Sequence, residues 1–352
     1  MTQPIFDGHN DLLLRLLNLP EDRRDDAFLR GDGKGHLDLP RMQAGSFAGG
    51  MFAIYIPSPD DGVDHDVAMG RVPYDLPLPE RMPRAASQAI ALDMAGILLR
   101  LERVSKGALR VCRTAAEIEA ARTAGAVAAV MHMEGAEAIG TDLDALHAFH
   151  AMGLRTLGPV WSRPTAFGHG VPFRFPSDGD TGPGLTPAGR DLVRECNALR
   201  IMLDLSHLNA KGLDDVAALS DAPLVATHSG VHAISPSSRN LTDRQLDTIA
   251  ASGGLVGLNF AVGFLRPDGG RDPDMDLDVM LRHFDHLLGK LGEGGVALGS
   301  DFDGAVMPAA IGDAAGLPAL VQAMRDAGWG EELIGRIAWG NWIDMLRRTW
   351  GG

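Results

Sequence analysis

The stretch "GAVAAVMHMEG" at residues 125–135 is a short apolar run that ends in one acidic residue and a glycine. Its apolar residues show little alternation with polar ones, which is typical of a strand buried on both faces of a parallel sheet. Glu134 stands where this strand ends. A buried carboxylate is unfavourable unless it is paired or binds a cation. The stretch therefore predicts a parallel sheet with a polar site at its carboxyl edge.

Similar apolar runs recur along the chain, with helix-like segments between them. They lie at residues 5–11, 47–56, 154–161, 200–207, 223–230, 253–260 and 294–304. The segments between them, such as those at 141–153, 209–221 and 242–253, begin with the Thr or Asn of a helix cap, and the first and third of these end in glycine. About eight strand–helix units favour an α/β fold of the (β/α)8 TIM-barrel type. An open doubly wound sheet is the alternative, because a sequence does not show closure.

Composition limits the class of protein. The chain has 352 residues, 45% of them hydrophobic, which is compatible with one globular domain over residues 1–352. A formal net charge of −14 argues against nucleic acid and anionic membrane surfaces as partners. No run reaches the roughly 18 apolar residues of a membrane span, and no secretory signal is recognisable. We therefore expect a cytoplasmic protein without a membrane anchor.

Two segments, residues 57–87 and 162–190, interrupt the strand–helix rhythm. Each follows a predicted strand and contains many proline and polar residues. Loops longer than about 12–15 residues inside a compact domain are commonly functional. In a TIM barrel the loops after strands surround the active site. We therefore predict that these long loops lie over the active-site face.

Polar residues also stand at the ends of other predicted strands: His9 and Asp11, His207, His228, and Asp301. We call His9 and Asp11 the N-terminal pair, and His207 and His228 the histidine pair. Residues two apart on a strand point to the same side, so the N-terminal pair can share one ion. Each signal alone is weak, because such residues also cap helices or pack structurally. Their common position favours a site for zinc or a similar divalent ion.

Two neighbouring ions need a bridging anion between them. None of the four lysines ends a predicted strand, whereas Glu134 does. Glu134 is therefore the predicted bridge between one ion on the N-terminal pair and one on the histidine pair. A water molecule between two ions has a lowered pKa and can attack as hydroxide. Asp301 would be the free carboxylate that moves its proton, as a general acid/base.

A set of short motifs resembles the membrane (renal) dipeptidase family and its bacterial members. They are "DGHND" at 7–11, "MEG" at 133–135, "LSH" at 205–207, "THS" at 227–229, "SRNLTD" at 238–243 and "GSDFDG" at 299–304. They occur in the family's order over nearly the whole chain. The resemblance implies a TIM-barrel metallopeptidase with two zinc ions that cleaves dipeptides, including those with a D-residue on the C-terminal side.

The resemblance also implies roles for individual residues. The N-terminal pair and Glu134 would bind one zinc ion, and Glu134 and the histidine pair the other. Asp301 would be the acid/base residue. Arg239 matches the family arginine that binds the terminal carboxylate of the substrate. A planar guanidinium is suited to this because it can donate two parallel hydrogen bonds to a carboxylate. Without the resemblance, Arg239 is interpreted as a solvent-facing loop arginine.

The chain departs from the animal members of the family in three features. Their fourth strand ends in a histidine that polarises the scissile carbonyl, and Trp161 stands at the matching place here. The sequence therefore leaves open which group stabilises the oxyanion. His169 is either its replacement or a loop-packing histidine. The lipid-anchor tail and the secretory signal of the animal members are not recognisable, which favours a soluble bacterial-type enzyme.

We therefore predict a binuclear zinc dipeptidase that hydrolyses dipeptides, among them L-Xaa-D-Xaa. One alternative is a related barrel amidohydrolase that acts on N-acyl amino acids or lactones. A second is a non-catalytic metal-binding protein on the same fold. A structural scaffold explains none of the strand-end residues. A homodimer is the default expectation for a soluble barrel enzyme.

Overall fold

Eight parallel strands form a nearly closed barrel, which confirms the predicted TIM barrel. The computed structural model describes residues 3–59 and 65–351, apart from the side chains of residues 65 and 66. Each barrel strand lies inside one of the apolar runs of the sequence. The strands are β1 Ile5–Asn10, β2 Phe47–Tyr55, β3 Val127–Glu134, β4 Leu154–Gly158, β5 Met202–Leu203, β6 Val225–Ser229, β7 Leu255–Asn259 and β8 Val296–Gly299.

The barrel closes between β5 and β6. Hydrogen-bonded neighbours run in the order β5-β4-β3-β2-β1-β8-β7-β6, and all of these pairs are parallel. Asp204 and Val225 form a parallel bridge across the remaining seam. The backbone N–H of Leu205 donates to the Val225 carbonyl at 2.8 Å. This seam excludes the open doubly wound sheet, whose two edge strands would not meet.

Helices surround the barrel, and none in the described part of the chain is long and apolar enough to cross a membrane. The helix predicted at 242–253 begins with a capping box. The Thr242 hydroxyl accepts from the Gln245 N–H while the Gln245 side chain accepts from the Thr242 N–H. The α-helices are α1 Leu12–Leu17, α2 Glu21–Arg30, α3 Leu39–Ala44, α4 His65–Met69, α5 Arg84–Val104, α6 Ala115–Thr123, α7 Asp144–Met152, α8 Pro187–Leu199, α9 Ala210–Leu219, α10 Asp243–Ala251, α11 Val262–Leu265, α12 Asp278–Leu291, α13 Leu317–Asp326, α14 Glu331–Gly335 and α15 Asn341–Trp350.

The end of the barrel where the strands begin is filled by an aromatic side chain of α15. Trp342 is fully buried, and its indole N–H donates to the Leu298 carbonyl at 2.8 Å. Its ring packs beside Phe6, with ring centres 6.3 Å apart. A Cβ atom at Gly8 would collide with the Trp342 ring and with the Thr227 carbonyl, so this approach requires glycine.

The two predicted long loops meet at the opposite end of the barrel. Tyr74–Asp75 of the first pairs antiparallel with Arg174–Phe175 of the second. Both loops are shorter than predicted, because α5 begins at Arg84 and α8 at Pro187. A Thr N-cap followed by proline at the first helical position is a helix-start signal, and the prediction missed it in α8. Residues 60–64 of the first loop lie outside the described residues.

Candidate metal centre and substrate cavity

The N-terminal pair lies at the carboxyl end of β1, but not for the predicted reason. The strand ends at Asn10, and Asp11 is the N-cap of α1 with φ −107° and ψ 27°. The same-side rule for strands is therefore wrong for Asp11, since the backbone turns there. The turn nevertheless places Asp11 Oδ2 3.5 Å from His9 Nε2. Both residues are buried.

Glu134 lies between the N-terminal pair and the histidine pair. Its Oε1 is 3.0 Å from His207 Nε2 and 3.4 Å from His228 Nε2. Its Oε2 is 3.7 Å from His9 Nε2. The Nε2 atoms of the histidine pair are 3.2 Å apart. One carboxylate thus presents an oxygen to each of two ligand groups, which is the arrangement that a bridging ligand requires.

Asp301 adjoins this cluster on the side of the N-terminal pair. Donor atoms of His9, Asp11 and Asp301 lie within 4.8 Å of one another. Asp301 Oδ2 accepts from Asn259 Nδ2 at 2.9 Å. Asp301 and His207 have φ of 64° and 66°. Left-handed backbone is rare outside glycine, and it concentrates at functional sites where the surrounding fold imposes it.

Burial and mutual charge control the ionisation of the cluster. Burial lowers the pKa of His9, but Glu134 and Asp11 outweigh it and raise that pKa to about 10. Burial raises the pKa of both Glu134 and Asp301, while His9 lowers it. For both members of the histidine pair, burial lowers the pKa, and the positive charges of His9 and Arg239 lower it further. The lowered pKa favours the neutral form of the histidine pair, which is the form in which imidazole binds a metal.

The donor set fits divalent metal ions of the zinc type. Both ring nitrogens of His9 are buried without a hydrogen-bond partner among the described residues. Unpaired buried polar atoms are rare in folded proteins and call for an explanation. Imidazole nitrogens and carboxylate oxygens that converge at short range supply that explanation, since they are the ligands of zinc and its neighbours.

Arg239 is buried rather than solvent-facing, which contradicts the interpretation drawn from the residue alone. It is 3% exposed, and its Nη2 donates to the His228 carbonyl at 3.0 Å. Its guanidinium carbon lies 5.6 Å from the ring centre of Phe264. Its Nε–H has no hydrogen-bond partner in the described part of the chain. Burial lowers the pKa of Arg239, and the charges of Asp301 and Glu134 raise it.

A cavity of about 320 Å³ opens beside the cluster. Its polar lining includes Asp11, Glu134, His207 and Asp301 of the cluster, together with Ser58, Ser162 and Arg271. The rest is largely apolar and includes parts of both long loops. These walls include Leu14, Tyr55, Tyr74, Leu76, Trp161, Phe173, Val262 and Phe264. A concave apolar pocket with a few converging polar groups is the usual form of a small-molecule site.

The structure places Trp161, which stands where the family has a histidine, and His169, the candidate replacement for that histidine, in different surroundings. Trp161 lines the cavity, with its ring centre 5.1 Å from that of Tyr55 and 5.8 Å from that of His207. His169 is not among the described residues that line it, and its Nδ1 lies 3.3 Å from the Gly184 carbonyl oxygen. Its position matches the loop-packing alternative.

Several residues near the site were not predicted from the sequence. Tyr55 ends β2 and is the register partner of Glu134, but an aromatic residue after an apolar run looks like core. Asn259 ends β7, a strand for which no site residue was predicted. Ser162 and Thr227 lie beside the histidine pair. Tyr55 and Asn259 share one signal, a polar atom on the last residue of a strand, whereas Thr227 lies within β6 and Ser162 lies in the loop after β4.

A (β/α)8 barrel whose strand ends present clustered imidazole and carboxylate groups belongs to the class of TIM-barrel metalloenzymes. The family model described as membrane dipeptidase (peptidase family M19) matches residues 1–349. The chain belongs to this family, as the motifs predicted. Membership supports a metal-dependent dipeptidase, a hydrolase of peptide bonds.

The chain is similar to proteins that include two described as peptidases. A metallo peptidase from Rhodobacter sphaeroides, crystallised with a phosphinate mimic of the dipeptide L-Ala-D-Ala, is 60% identical, with a TM-score of 0.97 over 99% of this chain and 100% of that one. An "uncharacterized protein in pqqA 5'region" of Klebsiella pneumoniae is 47% identical over 74% of this chain and 96% of its own length. Dipeptidase tcpJ of Claviceps purpurea is 27% identical over 97% and 76%, respectively.

Proposed function

We propose that the protein is a binuclear zinc dipeptidase whose substrates include L-Xaa-D-Xaa dipeptides. The observation that carries the two-ion proposal is the placement of Glu134, whose two oxygens face different ligand groups. The stereochemical part rests on similarity, since the Rhodobacter sphaeroides relative binds a mimic of L-Ala-D-Ala. The cavity of about 320 Å³ is of a size that small ligands occupy.

The N-terminal pair and Glu134 would hold one ion, and Glu134 and the histidine pair the other. When bound, two such ions supply Lewis acidity and lower the pKa of a water molecule. The protein's part is to orient the ligands and shield them from bulk water. The burial of all five ligands serves that purpose, and the lowered pKa of both members of the histidine pair favours the neutral form that binds a metal.

Asp301 would act as the acid/base residue. One of its oxygens accepts a hydrogen bond from Asn259, which orients the carboxylate and leaves the other oxygen for a proton. Burial raises the pKa of Asp301 above its usual value, and this brings the group closer to the range in which it can both take and release a proton. In the proposed reaction it takes a proton from the attacking water and passes it to the departing amine.

Arg239 would bind the terminal carboxylate of the dipeptide. Its buried Nε–H has no partner among the described residues, so a donor remains for a ligand. Arg239 itself is not among the described residues that line the cavity, whereas Phe264, which lies beside its guanidinium, is. The aromatic wall that includes Trp161 and Phe173 would exclude water and contact the substrate side chains. An acyl chain would also fit an apolar wall, which keeps N-acyl amino acids as the competing substrate class.

Metal analysis combined with a substrate panel tests this proposal. The panel contains L-Xaa-L-Xaa and L-Xaa-D-Xaa dipeptides, N-acyl amino acids and lactones. We expect two zinc ions per chain and hydrolysis of both dipeptide sets. Turnover of N-acyl amino acids without any dipeptide hydrolysis would overturn the dipeptidase assignment. Full activity with one ion per chain would overturn the bridging role of Glu134.

A further inference from the structure

The imidazoles of the cluster differ in what their second nitrogen contacts. His228 Nδ1 lies 2.8 Å from Thr227 Oγ1, and His207 Nδ1 lies 2.8 Å from Ser162 Oγ. His9 Nδ1 is buried without a partner among the described residues. The histidine pair is therefore held by hydroxyl groups, whereas the histidine of the N-terminal pair is not.

The contact at His228 has a defined direction. Thr227 Oγ1 donates its only proton to Asp204 Oδ2 at 2.7 Å, because a carboxylate can only accept. The same oxygen must then accept from His228, so the imidazole carries its proton on Nδ1. His228 Nε2 is left with a free lone pair, and this is the atom 3.4 Å from Glu134 Oε1. Thr227 thus selects the tautomer that can bind a metal through Nε2.

The side chain of Asp204 is itself fixed by hydrogen bonds from the backbone. It is 1% exposed, and its Oδ1 accepts from the backbone N–H groups of Ser206 at 2.9 Å and of Thr227 at 2.8 Å. It also forms the bridge to Val225 that closes the barrel. The orientation of His228 is therefore tied to the barrel seam, before any ion binds.

We propose that Thr227, held by Asp204, is a positioning residue for His228. We further propose that the ion position between Glu134 and the histidine pair is the tighter of the two. The inference rests on the proposed two-ion function. Partners of this kind fix the ring and its tautomer, and their loss typically weakens metal affinity about 10–100-fold. The ion position on the N-terminal pair lacks such a partner at His9.

Zinc titration of the full-length chain, stripped of metal and set against a competing chromogenic chelator, measures both affinities. We expect two dissociation constants that differ by at least about tenfold. Two equal constants would contradict the asymmetry.

The variant T227V removes the hydroxyl with little change of shape, and T227S keeps it as the matched control. T227V should weaken the tighter constant about 10–100-fold and leave the weaker one unchanged, while T227S should behave like the wild type. An unchanged tighter constant in T227V, or an equal loss in T227S, would overturn the positioning role. If T227V does not fold, S162A tests the same side through His207, and it too should weaken only the tighter constant. An unchanged constant in S162A would then contradict the proposed asymmetry.

The outcomes separate this inference from the proposed function. A wild-type chain that binds two ions with unequal affinity but hydrolyses no dipeptide would support the inference and contradict the function. A chain that hydrolyses dipeptides while T227V keeps the tighter constant would do the reverse.

Discussion

The two ends of the barrel are built on opposite physical principles. At the end where the strands begin, Trp342 is buried, packed against Phe6, and satisfied by a hydrogen bond to Leu298. At the end where the strands stop, His9 has unpaired ring nitrogens, and burial raises the pKa of Glu134. Packing at the first end stabilises the fold. At the second end, buried polar and charged groups lower the stability, and a bound ligand can offset that cost. Substitutions at the two ends should therefore have opposite signatures.

The largest expected effect is loss of activity in E134A. Removing the proposed bridge should lower kcat/KM for dipeptides by about 10⁴-fold or more, which is about 5 kcal/mol. The thermal stability of the metal-free chain should not fall, because burial of the Glu134 carboxylate and its repulsion by Asp11 and Asp301 outweigh its attraction to His9 and Arg239, as its raised pKa indicates. Initial rates and thermal unfolding with a chelator measure both. The exposed variant E332A is the control, and more than 1% residual activity in E134A would contradict the prediction.

At the opposite end, W342A should act on stability alone. Truncating this buried indole should lower the free energy of unfolding by about 3–5 kcal/mol. Activity per folded molecule should stay within about twofold of the wild type, because the site lies at the other end of the barrel. Urea unfolding and active-site-normalised rates check this, and W342F should lose less stability. A large loss of activity in fully folded W342A would contradict the claim that this end of the barrel affects stability but not activity.

A smaller effect at the mouth is expected from R239K. Lysine keeps the charge but lacks the planar fork that matches a carboxylate. We expect kcat/KM to fall about 100-fold, about 2.7 kcal/mol, mainly through KM. Dipeptide amides, which have no terminal carboxylate, should be equally poor substrates for the variant and the wild type. An equal loss on both substrate types would argue against carboxylate binding by Arg239.

The smallest effect concerns His283, a buried histidine of α12 outside the cluster. Its Nδ1 accepts from the Val231 N–H at 3.1 Å, and burial lowers its pKa to about 4. The unfolded chain, with a histidine pKa near ~6.5, binds a proton that the folded chain does not. Its contribution to the free energy of unfolding is therefore complete above pH ~6.5 and is lost as the pH falls towards ~4. At pH ~5 the loss amounts to about 2 kcal/mol. In H283Q the free energy of unfolding should fall less steeply as the pH is lowered, by the equivalent of about one proton. Unfolding experiments at several pH values with a chelator present measure this slope. An unchanged pH slope would show that His283 titrates normally.

One rule of geometry predicted which strand-end residues lie close together. Apolar runs locate parallel strands, and the carboxyl ends of such strands meet at one face. His9, Glu134 and Asp301 were predicted to share a site in this way, and the structure places them near one another. His169 and Arg239 lie in irregular segments after strands, where the backbone direction depends on contacts with distant parts of the chain. Neither the loop packing of His169 nor the burial of Arg239 can be predicted from the residues next to them in the sequence.

The sequence by itself determined the eight-stranded barrel, the family and the chemical types gathered at its mouth, because these depend on local periodicity and on the order of motifs. Only the tertiary structure decided how those groups face one another. The two-sided placement of Glu134, the contact of Ser162 with His207 and the contact of Thr227 with Asp204 depend on distances between strands far apart in the chain. Closure of the barrel at the seam between Asp204 and Val225 brings those strands together.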